Sequence, residues 1–561
     1  MQGMKKPDPV RLKDRISMLK RKPGPVPLSR IVLLTALCIT VLHNYTLFSN
    51  MAKVYQGQYL FLAASVIIFF CLNVILLNLV AYQRAAKPVL TVLLLFSAAQ
   101  AYFTDCFGVI GDQEMIRNIL WTDPREVSGW FNSRLAVYLA FLGLAPALLV
   151  YMAPVRTMTL KRELIFKMRD VVAALGVMAL CLLSFGASYA SFFREHKLIR
   201  HYATPAFFIY SSGRLAYREA TLSNHIVAEL GADAGISPQD EGRELIIMVV
   251  GETARADRFS LNGYGRETNP LLAREDLVAF TDVESCGTST VISVPCMFSN
   301  FGRAGFTSEK AAATENLLDI LSHTGKVNVL WRDNNSDSKG VALRVPYQDF
   351  RTQTFNPVCD LECRDEGLLA RLQEYIDSKP KGDIFIVLHQ LGNHGPEYFK
   401  RYPKRFEAFK PVCKTGDLGQ CSREEISNAY DNAILYTDYF LAQTIAFLKK
   451  NDGRFETAMF YVSDHGESLG ENGLYLHGMP YALSPAVQRR VPMIAWFGES
   501  IRHEIDLPAV RARAHDHFSH DNVFHSILGL LEIDTPLYDP EKDIFKDRPV
   551  ITASHATPAP G

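Results

Sequence analysis

Apolar residues dominate the chain between residues 31 and 193. Five runs there reach, or nearly reach, the roughly 20 mostly apolar residues that a helix needs to cross a bilayer core. None of the five contains Lys, Arg, Asp or Glu. The runs are Ile31–Phe48, Leu60–Tyr82, Pro88–Phe103, Leu135–Met152 and Val171–Phe193. The pattern predicts a five-helix transmembrane domain at residues 31–193, preceded by a tail at residues 1–30.

Positive charges are unequally distributed over the segments that flank these runs. The tail and the loops after the second and fourth runs together carry sixteen Lys and Arg residues, whereas the opposite side carries four. Cytoplasmic flanks are the ones enriched in Lys and Arg. We therefore predict a cytoplasmic N-terminus, and an odd number of spans then places the large C-terminal region outside the inner membrane, in the periplasm.

The pattern changes after the apolar region. Residues 194–243 form a mixed, charged connector that we expect at the membrane surface, and residues 244–561 have the composition of a soluble domain. Buried-type strands are predicted at Leu245–Val250, Val327–Leu330, Ile384–His389, Ala458–Val462 and Val491–Trp496, and helices at Glu309–Ser322, Arg364–Asp377 and Glu424–Lys449. Strands that alternate with helices indicate an α/β domain with a mostly parallel sheet.

Composition argues against two classes of protein. With 48% hydrophobic residues, and 59 basic against 59 acidic residues, the chain is not typical of a disordered protein or of a nucleic-acid binder.

Six of the ten cysteines fall in close pairs within the soluble domain: Cys286/Cys296, Cys359/Cys363 and Cys413/Cys421. Local pairs in a periplasmic domain predict three disulfides, and the alternatives are free buried thiols or a zinc cluster.

Polar residues gather just after the predicted strands. Glu252 follows the first strand, His394 follows the third, and Asp464 and His465 follow the fourth, with His477 shortly beyond. Taken singly, such residues are more often helix caps, packed histidines or turns. In an α/β sheet, however, the carboxyl ends of the strands meet at one edge, and mixed oxygen and nitrogen ligands suit Zn²⁺ and also admit Mn²⁺.

A cluster of hydroxyl residues lies between the first two strands, at residues 285–290. A hydroxyl bound to a metal is a nucleophile with a lowered pKa. Spacing alone does not choose between Ser285, Thr288, Ser289 and Thr290.

Four stretches carry a family resemblance: GETARADRFSLNGYGRETNP, SCGTSTVISVPCMFS, LGNHGPEY and YVSDHGESLGENGLYLHG. They closely resemble the phosphoethanolamine transferases of Gram-negative bacteria, which modify lipid A and include the mobile colistin-resistance enzymes. The soluble part is similar to the alkaline phosphatase/sulfatase superfamily, which implies an α/β/α domain.

The resemblance implies a role for each matching residue. Thr290 is the expected nucleophile, at the start of a helix whose dipole favours an anion. Glu252, Asp464 and His465 are expected to bind one Zn²⁺ together with the Thr290 oxygen. His394 and His477 either hold a second zinc or contact the substrate phosphate and position protons.

The resemblance also implies substrate contacts outside this centre. Asn118 and Glu126, in the loop between the third and fourth runs, match positions that contact the ethanolamine head group, although a surface amphipathic helix explains them equally well. Asn334 and Lys339 follow the second strand and could bind phosphate, unless this is only a solvated charged loop. The local histidines His515, His517, His520 and His525 are interpreted as loop and helix-cap structure.

The implied reaction is a two-step transfer from phosphatidylethanolamine to lipid A, with release of diacylglycerol, by a monomer that uses one or two zinc ions. Cationic peptides such as colistin then bind the modified surface less. The alternatives are another acceptor (a core sugar or a periplasmic glycan), a glycerol-phosphate transferase resembling the lipoteichoic acid synthases, and an inactive membrane-anchored zinc-binding or scaffold protein.

Overall fold

A computed structural model describes residues 24–121, 131–156, 158–186, 189, 199–222, 227–236, 242–416 and 418–546. The chain divides into two compact units. The first comprises Met1–Asp105 and Ser133–Ile209, and the second comprises Cys106–Asn132 and Tyr210–Gly561. The segment between the third and fourth apolar runs thus belongs to the same unit as the soluble domain.

The first unit is helical. The helices of this part of the chain are α1 Leu28–Leu42, α2 Tyr45–Val54, α3 Tyr59–Val80, α4 Gln83–Phe107, α5 Gln113–Trp121, α6 Ser133–Tyr138, α7 Ala145–Met152 and α8 Leu160–Ser184. Of these, α5 belongs to the second unit. A π-helical segment at Leu139–Leu144 joins α6 to α7. Helix α9, Ala206–Leu222, leads from the first unit into the second.

Three described helices are long and apolar enough to cross a membrane: Tyr59–Val80, Ala85–Phe107 and Ser133–Met152. A fourth span results if α1 and α2, which are bent by 56° at their junction, cross as one broken helix. The predicted fifth run, Val171–Phe193, begins within α8, which ends at Ser184. Residues 187–188 and 190–193 of this run lie outside the described residues. The part of the chain that is described therefore supports three or four spans, and the number five is not confirmed.

The start of α8 carries charged residues that the apolar pattern does not explain. Lys167 is buried, and its Nζ donates hydrogen bonds of 2.6 Å to the carbonyl oxygens of Asn78 and Ala81, at the end of α3. The same ammonium lies 3.5 Å from the centre of the Tyr82 ring. The last carbonyls of a helix have no partners within the helix, so a cation is favourable there.

The strands of the second unit are β1 Gly235–Ile236, β2 Glu244–Gly251, β3 Leu277–Phe280, β4 Asp282–Glu284, β5 Val327–Asp333, β6 Tyr347–Asp349, β7 Asp383–His389, β8 Glu456–Ser463, β9 Ser468–Leu469, β10 Tyr475–Leu476, β11 Met493–Phe497, β12 His517–Ser519 and β13 Ile533–Asp534. Seven of them form one sheet in the order β3-β11-β8-β2-β7-β5-β6. The four pairings among β8, β2, β7, β5 and β6 are parallel, whereas β11 is antiparallel to both of its neighbours. The sheet is therefore mixed. All five predicted strands are present.

The remaining helices are α10 Thr290–Met297, α11 Gly302–Gly305, α12 Ser308–Ala312, α13 Leu317–His323, α14 Leu372–Asp377, α15 Arg423–Lys449, α16 Leu507–Ala512 and α17 Val523–Leu530. The prediction of one helix at Glu309–Ser322 was wrong, because Asn316 and Asp319 form a capping box that begins α13. The prediction of one helix at Arg364–Asp377 was also wrong. This segment contains a 3₁₀ turn and the separate helix α14, and Arg371 between them has a φ of +55°. The predicted helix at Glu424–Lys449 is confirmed as α15.

Helices pack against the central strands of the sheet. Alternate residues of β2, among them Ile246 and Met248, pack in one cluster with apolar residues of α13 and α17, and α15 packs against β8. Strand β2 is buried along all eight residues, as expected of a central strand covered on both faces. The three predicted disulfides, Cys286–Cys296, Cys359–Cys363 and Cys413–Cys421, are all present.

Candidate active site

Four residues predicted from the sequence meet at the carboxyl end of the central strands. Glu252 follows β2, Asp464 and His465 follow β8, and Thr290 is the first residue of α10. Because β2 and β8 are parallel neighbours, their ends lie side by side. Thr290 Oγ1 donates a hydrogen bond of 3.0 Å to Glu252 Oε2 and lies 3.4 Å from His465 Nε2.

The donor atoms of this cluster fit a divalent cation. One ligand atom each from Glu252, Asp464 and His465 lie within 4.8 Å of one another. Asp464 Oδ1 accepts hydrogen bonds from the backbone N–H groups of Thr253 and His465, whereas its Oδ2 is buried and receives none from the described residues. A buried carboxylate oxygen without a donor is costly, and a cation would offset that cost.

The imidazole of His465 is oriented for the same role. Its Nδ1 lies 2.9 Å from the carbonyl oxygen of Gly466, which can only accept a hydrogen bond, so Nδ1 carries the proton. The lone pair of Nε2 then faces Glu252 and Asp464, whose nearest oxygens are 3.6 and 3.3 Å away. A second hydrogen bond that fixes the tautomer in this way is typical of a metal-binding histidine.

Burial and neighbouring charges shift the pKa values of Glu252, Asp464 and His465. Burial and the neighbouring Glu252 carboxylate raise the pKa of Asp464 well above its usual value. Burial acts to raise the pKa of Glu252 as well, but His465, His394 and His477 outweigh it and keep that pKa low. Burial, together with His477, lowers the pKa of His465 to about 3. The Glu252 carboxylate is therefore ionised and the His465 imidazole neutral, as a metal requires, whereas Asp464 holds a proton that a bound cation would displace.

Asn335 is a site residue that the sequence reasoning missed. Its Nδ2 donates hydrogen bonds of 2.7 Å to Glu252 Oε2 and 2.8 Å to the carbonyl oxygen of Gln390. Its position two residues after the end of β5 could have indicated a role in the site. In the same loop, Asn334 and Lys339 were predicted as phosphate contacts instead.

The structure places those two residues differently. Asn334 is buried, and its Nδ2 donates to Asp365 Oδ1 at 2.8 Å and to the carbonyl oxygen of Cys363 at 3.0 Å. Lys339 Nζ donates to Ser336 Oγ at 2.6 Å, within its own loop. Neither contact joins the cluster around Thr290.

His394 and His477 flank the cluster. The His477 ring centroid lies 4.3 Å from that of His465 and 5.6 Å from that of His394. His477 Nδ1 lies 3.1 Å from Oε2 of Glu467, a fully buried carboxylate to which the sequence reasoning gave no role. Burial raises the pKa of Glu467 well above its usual value. This carboxylate orients the His477 ring toward His465.

The edge of the site includes α5. A Cβ placed on Gly478 would lie 3.4 Å from Met115 Cε and 3.9 Å from Asn118 Nδ2, so Asn118 lies beside the residue that follows His477. Arg117 of the same helix lies 3.8 Å from Glu309. Glu126 lies outside the described residues.

The four local histidines have separate surroundings. His515 Nδ1 lies 3.0 Å from Thr281 Oγ1, His517 lies 3.4 Å from Asp282 Oδ2, and His525 Nδ1 accepts from the backbone N–H of Asp539. His520 is buried between two backbone groups. These contacts are those of loops and helix ends.

A buried cluster of two carboxylates and one imidazole beside a threonine at a helix start is typical of a metal-dependent enzyme. Residues 244–533 match the Sulfatase family model, and residues 69–220 match the model described as Phosphoethanolamine transferase EptA/EptB.

Individual relatives cover nearly the whole chain. Phosphatidylethanolamine transferase Mcr-1 from Escherichia coli is 42% identical over 83% of this chain and 89% of its own length. Phosphoethanolamine transferase EptA from Escherichia coli K12 is 37% identical over 94% and 99%, respectively. The solved integral membrane protein lipooligosaccharide phosphoethanolamine transferase A (EptA) from Neisseria meningitidis is 34% identical, with a TM-score of 0.86 over 93% of this chain and 99% of that one. The chain belongs to the phosphoethanolamine transferase family, and it is an enzyme of that class.

Proposed function

We propose that this enzyme transfers phosphoethanolamine from phosphatidylethanolamine to a phosphate of lipid A, with Thr290 as the nucleophile. The observation that carries the proposal is the position of Thr290 Oγ1, 3.0 Å from Glu252 Oε2 and 3.4 Å from His465 Nε2, at the first residue of α10. The names of the relatives, which specify phosphatidylethanolamine and lipooligosaccharide, support the donor and the acceptor class.

We further propose that the metal is Zn²⁺, held by Glu252, Asp464, His465 and the Thr290 oxygen. Two carboxylates, one imidazole and one hydroxyl are a donor set that zinc accepts in four-coordinate sites. When bound, zinc would lower the pKa of the Thr290 hydroxyl and offset the negative charge that develops at the phosphoryl group. Metal analysis of the purified protein decides whether His394 and His477 hold a second zinc.

In the first step, the Thr290 oxygen attacks the phosphorus of phosphatidylethanolamine. The Thr290 hydroxyl gives its proton to Glu252 Oε2 and an O–P bond forms to Thr290, while the bond from phosphorus to the diacylglycerol oxygen breaks and that oxygen takes up a proton as diacylglycerol leaves. Glu252 Oε2 accepts the hydrogen bond from Thr290, and the N-terminal end of α10 favours the anionic oxygen. His477, held by Glu467, is positioned to donate the proton to the leaving oxygen.

In the second step, an oxygen of a lipid A phosphate attacks the phosphothreonine-type intermediate. The new P–O bond forms to the acceptor, the bond to Thr290 breaks, and the Thr290 oxygen regains its proton from Glu252, while the proton released by the acceptor phosphate restores His477. Two successive transfers let one site serve two bulky lipids in turn. We place His394 beside the incoming phosphate, Asn118 and Glu126 at the ethanolamine group, and Asn334 and Lys339 as supports of the loop that carries Asn335.

We propose that the chain is a multi-pass protein of the bacterial inner membrane and acts as a monomer, with its N-terminus in the cytoplasm and its catalytic unit in the periplasm. The three disulfides support an oxidising compartment. Addition of an ammonium group to lipid A masks anionic charge, so cationic peptides such as colistin should bind less strongly.

The experiment is to incubate the detergent-purified chain with phosphatidylethanolamine and no acceptor, and then to measure the mass of the peptide that contains Thr290. We expect a gain of one phosphoethanolamine unit that persists in Thr290→Ser and is lost in Thr290→Ala, in Asp464→Asn and after chelation.

Other outcomes are equally clear. An adduct from phosphatidylglycerol only would favour a glycerol-phosphate transferase, and no adduct from either lipid would refute the proposed nucleophile. Mass spectrometry of lipid A from expressing cells then separates lipid A phosphate from a core sugar or another glycan as the acceptor.

A further inference from the structure

His520 occupies an unusual position for a residue with no assigned role. It begins the 3₁₀ turn His520–Asn522 directly after β12, and only 1% of it is exposed, which leaves no room for contact with a substrate. Its Nδ1 accepts a hydrogen bond of 3.1 Å from the backbone N–H of Cys286, and its Nε2 lies 3.0 Å from the carbonyl oxygen of Ser463.

The two partners determine the protonation of the ring. A backbone N–H only donates, so His520 Nδ1 has its lone pair directed at Cys286. A carbonyl oxygen only accepts, so Nε2 carries the proton and donates it to Ser463. One neutral tautomer therefore satisfies two buried backbone groups, and an unsatisfied group of that kind is costly.

Each partner belongs to a different half of the active site. Cys286 lies four residues before Thr290, and its disulfide to Cys296 closes the loop that carries Thr290. Ser463 directly precedes Asp464, and its Oγ accepts a hydrogen bond of 2.8 Å from the backbone N–H of Ala254, two residues after Glu252. The imidazole thus spans from the loop of the nucleophile to the strand end that carries the carboxylates.

The segment around His520 is itself fixed to the nucleophile side. Strand β12 pairs in parallel with β4, which leads directly into the loop at residues 285–289. Asp521 Oδ1 accepts a hydrogen bond of 2.7 Å from the backbone N–H of Arg303 in α11. The ring is therefore fixed to the nucleophile side, and its hydrogen bond to the carbonyl oxygen of Ser463 ties that side to the strand end that carries Asp464.

We propose that His520 is a positioning residue for phosphoryl transfer, which sets the distance between Thr290 and the Asp464–His465 pair. The proposal rests on the proposed function in taking Thr290 as the nucleophile. Outer residues that orient metal ligands typically change metal affinity or activity by about 10- to 100-fold when they are replaced. A displacement of about 1 Å at a reacting centre has a similar effect.

The test compares variants of the full chain in detergent. His520→Phe keeps the volume but removes both hydrogen bonds. His520→Gln restores an acceptor and a donor on one side-chain amide, and His520→Asn offers a shorter amide that can reach Cys286 only. The matched control is His525→Phe, because His525 is also buried and accepts one backbone hydrogen bond, from Asp539, away from the site.

Three quantities are measured for each variant: kcat and KM for phosphatidylethanolamine, the dissociation constant for zinc by chelator competition with the metal-free protein, and the thermal unfolding midpoint. We expect His520→Phe to lower kcat and to weaken zinc binding, each about 10- to 100-fold, with KM nearly unchanged. His520→Gln should recover most of both, His520→Asn should fall between them, and His525→Phe should change neither.

Equal kcat and zinc affinity in His520→Phe and His525→Phe would overturn the proposal. If His520→Phe does not fold, the comparison of His520→Gln with His520→Asn decides, and equal values in these two would also overturn it. A wild-type chain that forms no adduct on Thr290 would refute the proposed function, whereas the zinc affinities would still test whether His520 positions the ligands.

Discussion

Nδ2 of Asn335 lies 2.7 Å from Oε2 of Glu252, and this is the carboxylate oxygen to which Thr290 also donates. The second hydrogen bond of Asn335, to the carbonyl oxygen of Gln390, fixes the amide to the end of β7. Glu252 therefore has one orientation relative to Thr290, and that orientation depends on a neighbouring strand.

We expect Asn335→Ala to lower kcat/KM for phosphoethanolamine transfer by about 10- to 100-fold, because the Glu252 carboxylate loses the donor that orients it. Initial rates at saturating zinc measure this effect. The control is Asn451→Ala: Asn451 is also buried and its Nδ2 also makes two hydrogen bonds, to Gln373 and Phe447. The control should lose stability but little activity, and equal rates in the two variants would contradict the assigned role.

The disulfide Cys286–Cys296 should contribute both to stability and to activity. Its ten-residue separation spans Thr290, and loop closure of this length stabilises a fold by about 3 kcal/mol. We expect the double substitution of both cysteines by Ala to lower the thermal midpoint and kcat together.

Removal of Cys413–Cys421, which has a separation of eight residues, provides the comparison. It should lower the midpoint by a similar amount and leave kcat nearly unchanged. An equal loss of kcat in both double variants would show that the first disulfide has no particular effect on Thr290.

The sequence was sufficient for the parts of the fold that depend on one strong local signal. Buried strands such as β2 are continuous apolar runs, and residues that follow parallel neighbours, such as Glu252 and Asp464, must lie close together. The direction of β11 could not be predicted, because a strand buried on both faces has no pattern that distinguishes parallel from antiparallel pairing.

The rest of the site depends on contacts that are distant in the sequence. Asn335 and Asn334 are adjacent and chemically identical, but only the tertiary structure shows that Asn335 reaches Glu252 whereas Asn334 reaches Asp365. His520 reaches Cys286 and Ser463 across separations of 234 and 57 residues. The grouping of α5 with the second unit likewise depends on tertiary contacts, which the apolar runs of the sequence do not predict.

Asp438 should give the protein a measurable dependence of stability on pH. It accepts hydrogen bonds from the backbone N–H groups of Leu271 and Leu272, and its burial raises the pKa to about 6, from an ordinary value of 3.8. Between these two values the folded state keeps a proton that the unfolded state has lost. The free energy of unfolding therefore falls by about 3 kcal/mol in all as the pH rises from about 3 to about 7, with about 2 kcal/mol of that loss between pH 4 and 6.

Thermal midpoints of the wild type and Asp438→Asn between pH 4 and 7 test this expectation. The wild type should lose stability relative to the variant as the pH rises through this window. Asp452 is the control of opposite sign, because hydrogen bonds from Ser500 and Thr457 outweigh burial and lower its pKa. The advantage of the wild type over Asp452→Asn should be lost as the pH falls below 4. Parallel curves for Asp438→Asn and the wild type would show that the Asp438 carboxyl titrates normally.

Gly392 should be irreplaceable because two loops of the site meet there. Its φ is +53°, and a Cβ would lie 2.7 Å from the carbonyl oxygen of Glu252 and 3.0 Å from its Cβ. The next residue, Asn393, donates its backbone N–H to that same carbonyl at 3.0 Å. Gly392→Ala must therefore push the loop of His394 away from Glu252, and we expect kcat to fall by about 100-fold.

The control separates backbone strain from this collision. Gly325 also has a positive φ, of +65°, but a Cβ there would meet no atom within 4 Å. Gly325→Ala should cost only about 1–2 kcal/mol of stability, the usual cost of a left-handed conformation, and should leave kcat unchanged. If Gly392→Ala loses stability but keeps the wild-type kcat, the contact between the His394 loop and Glu252 supports the fold and not the transfer reaction.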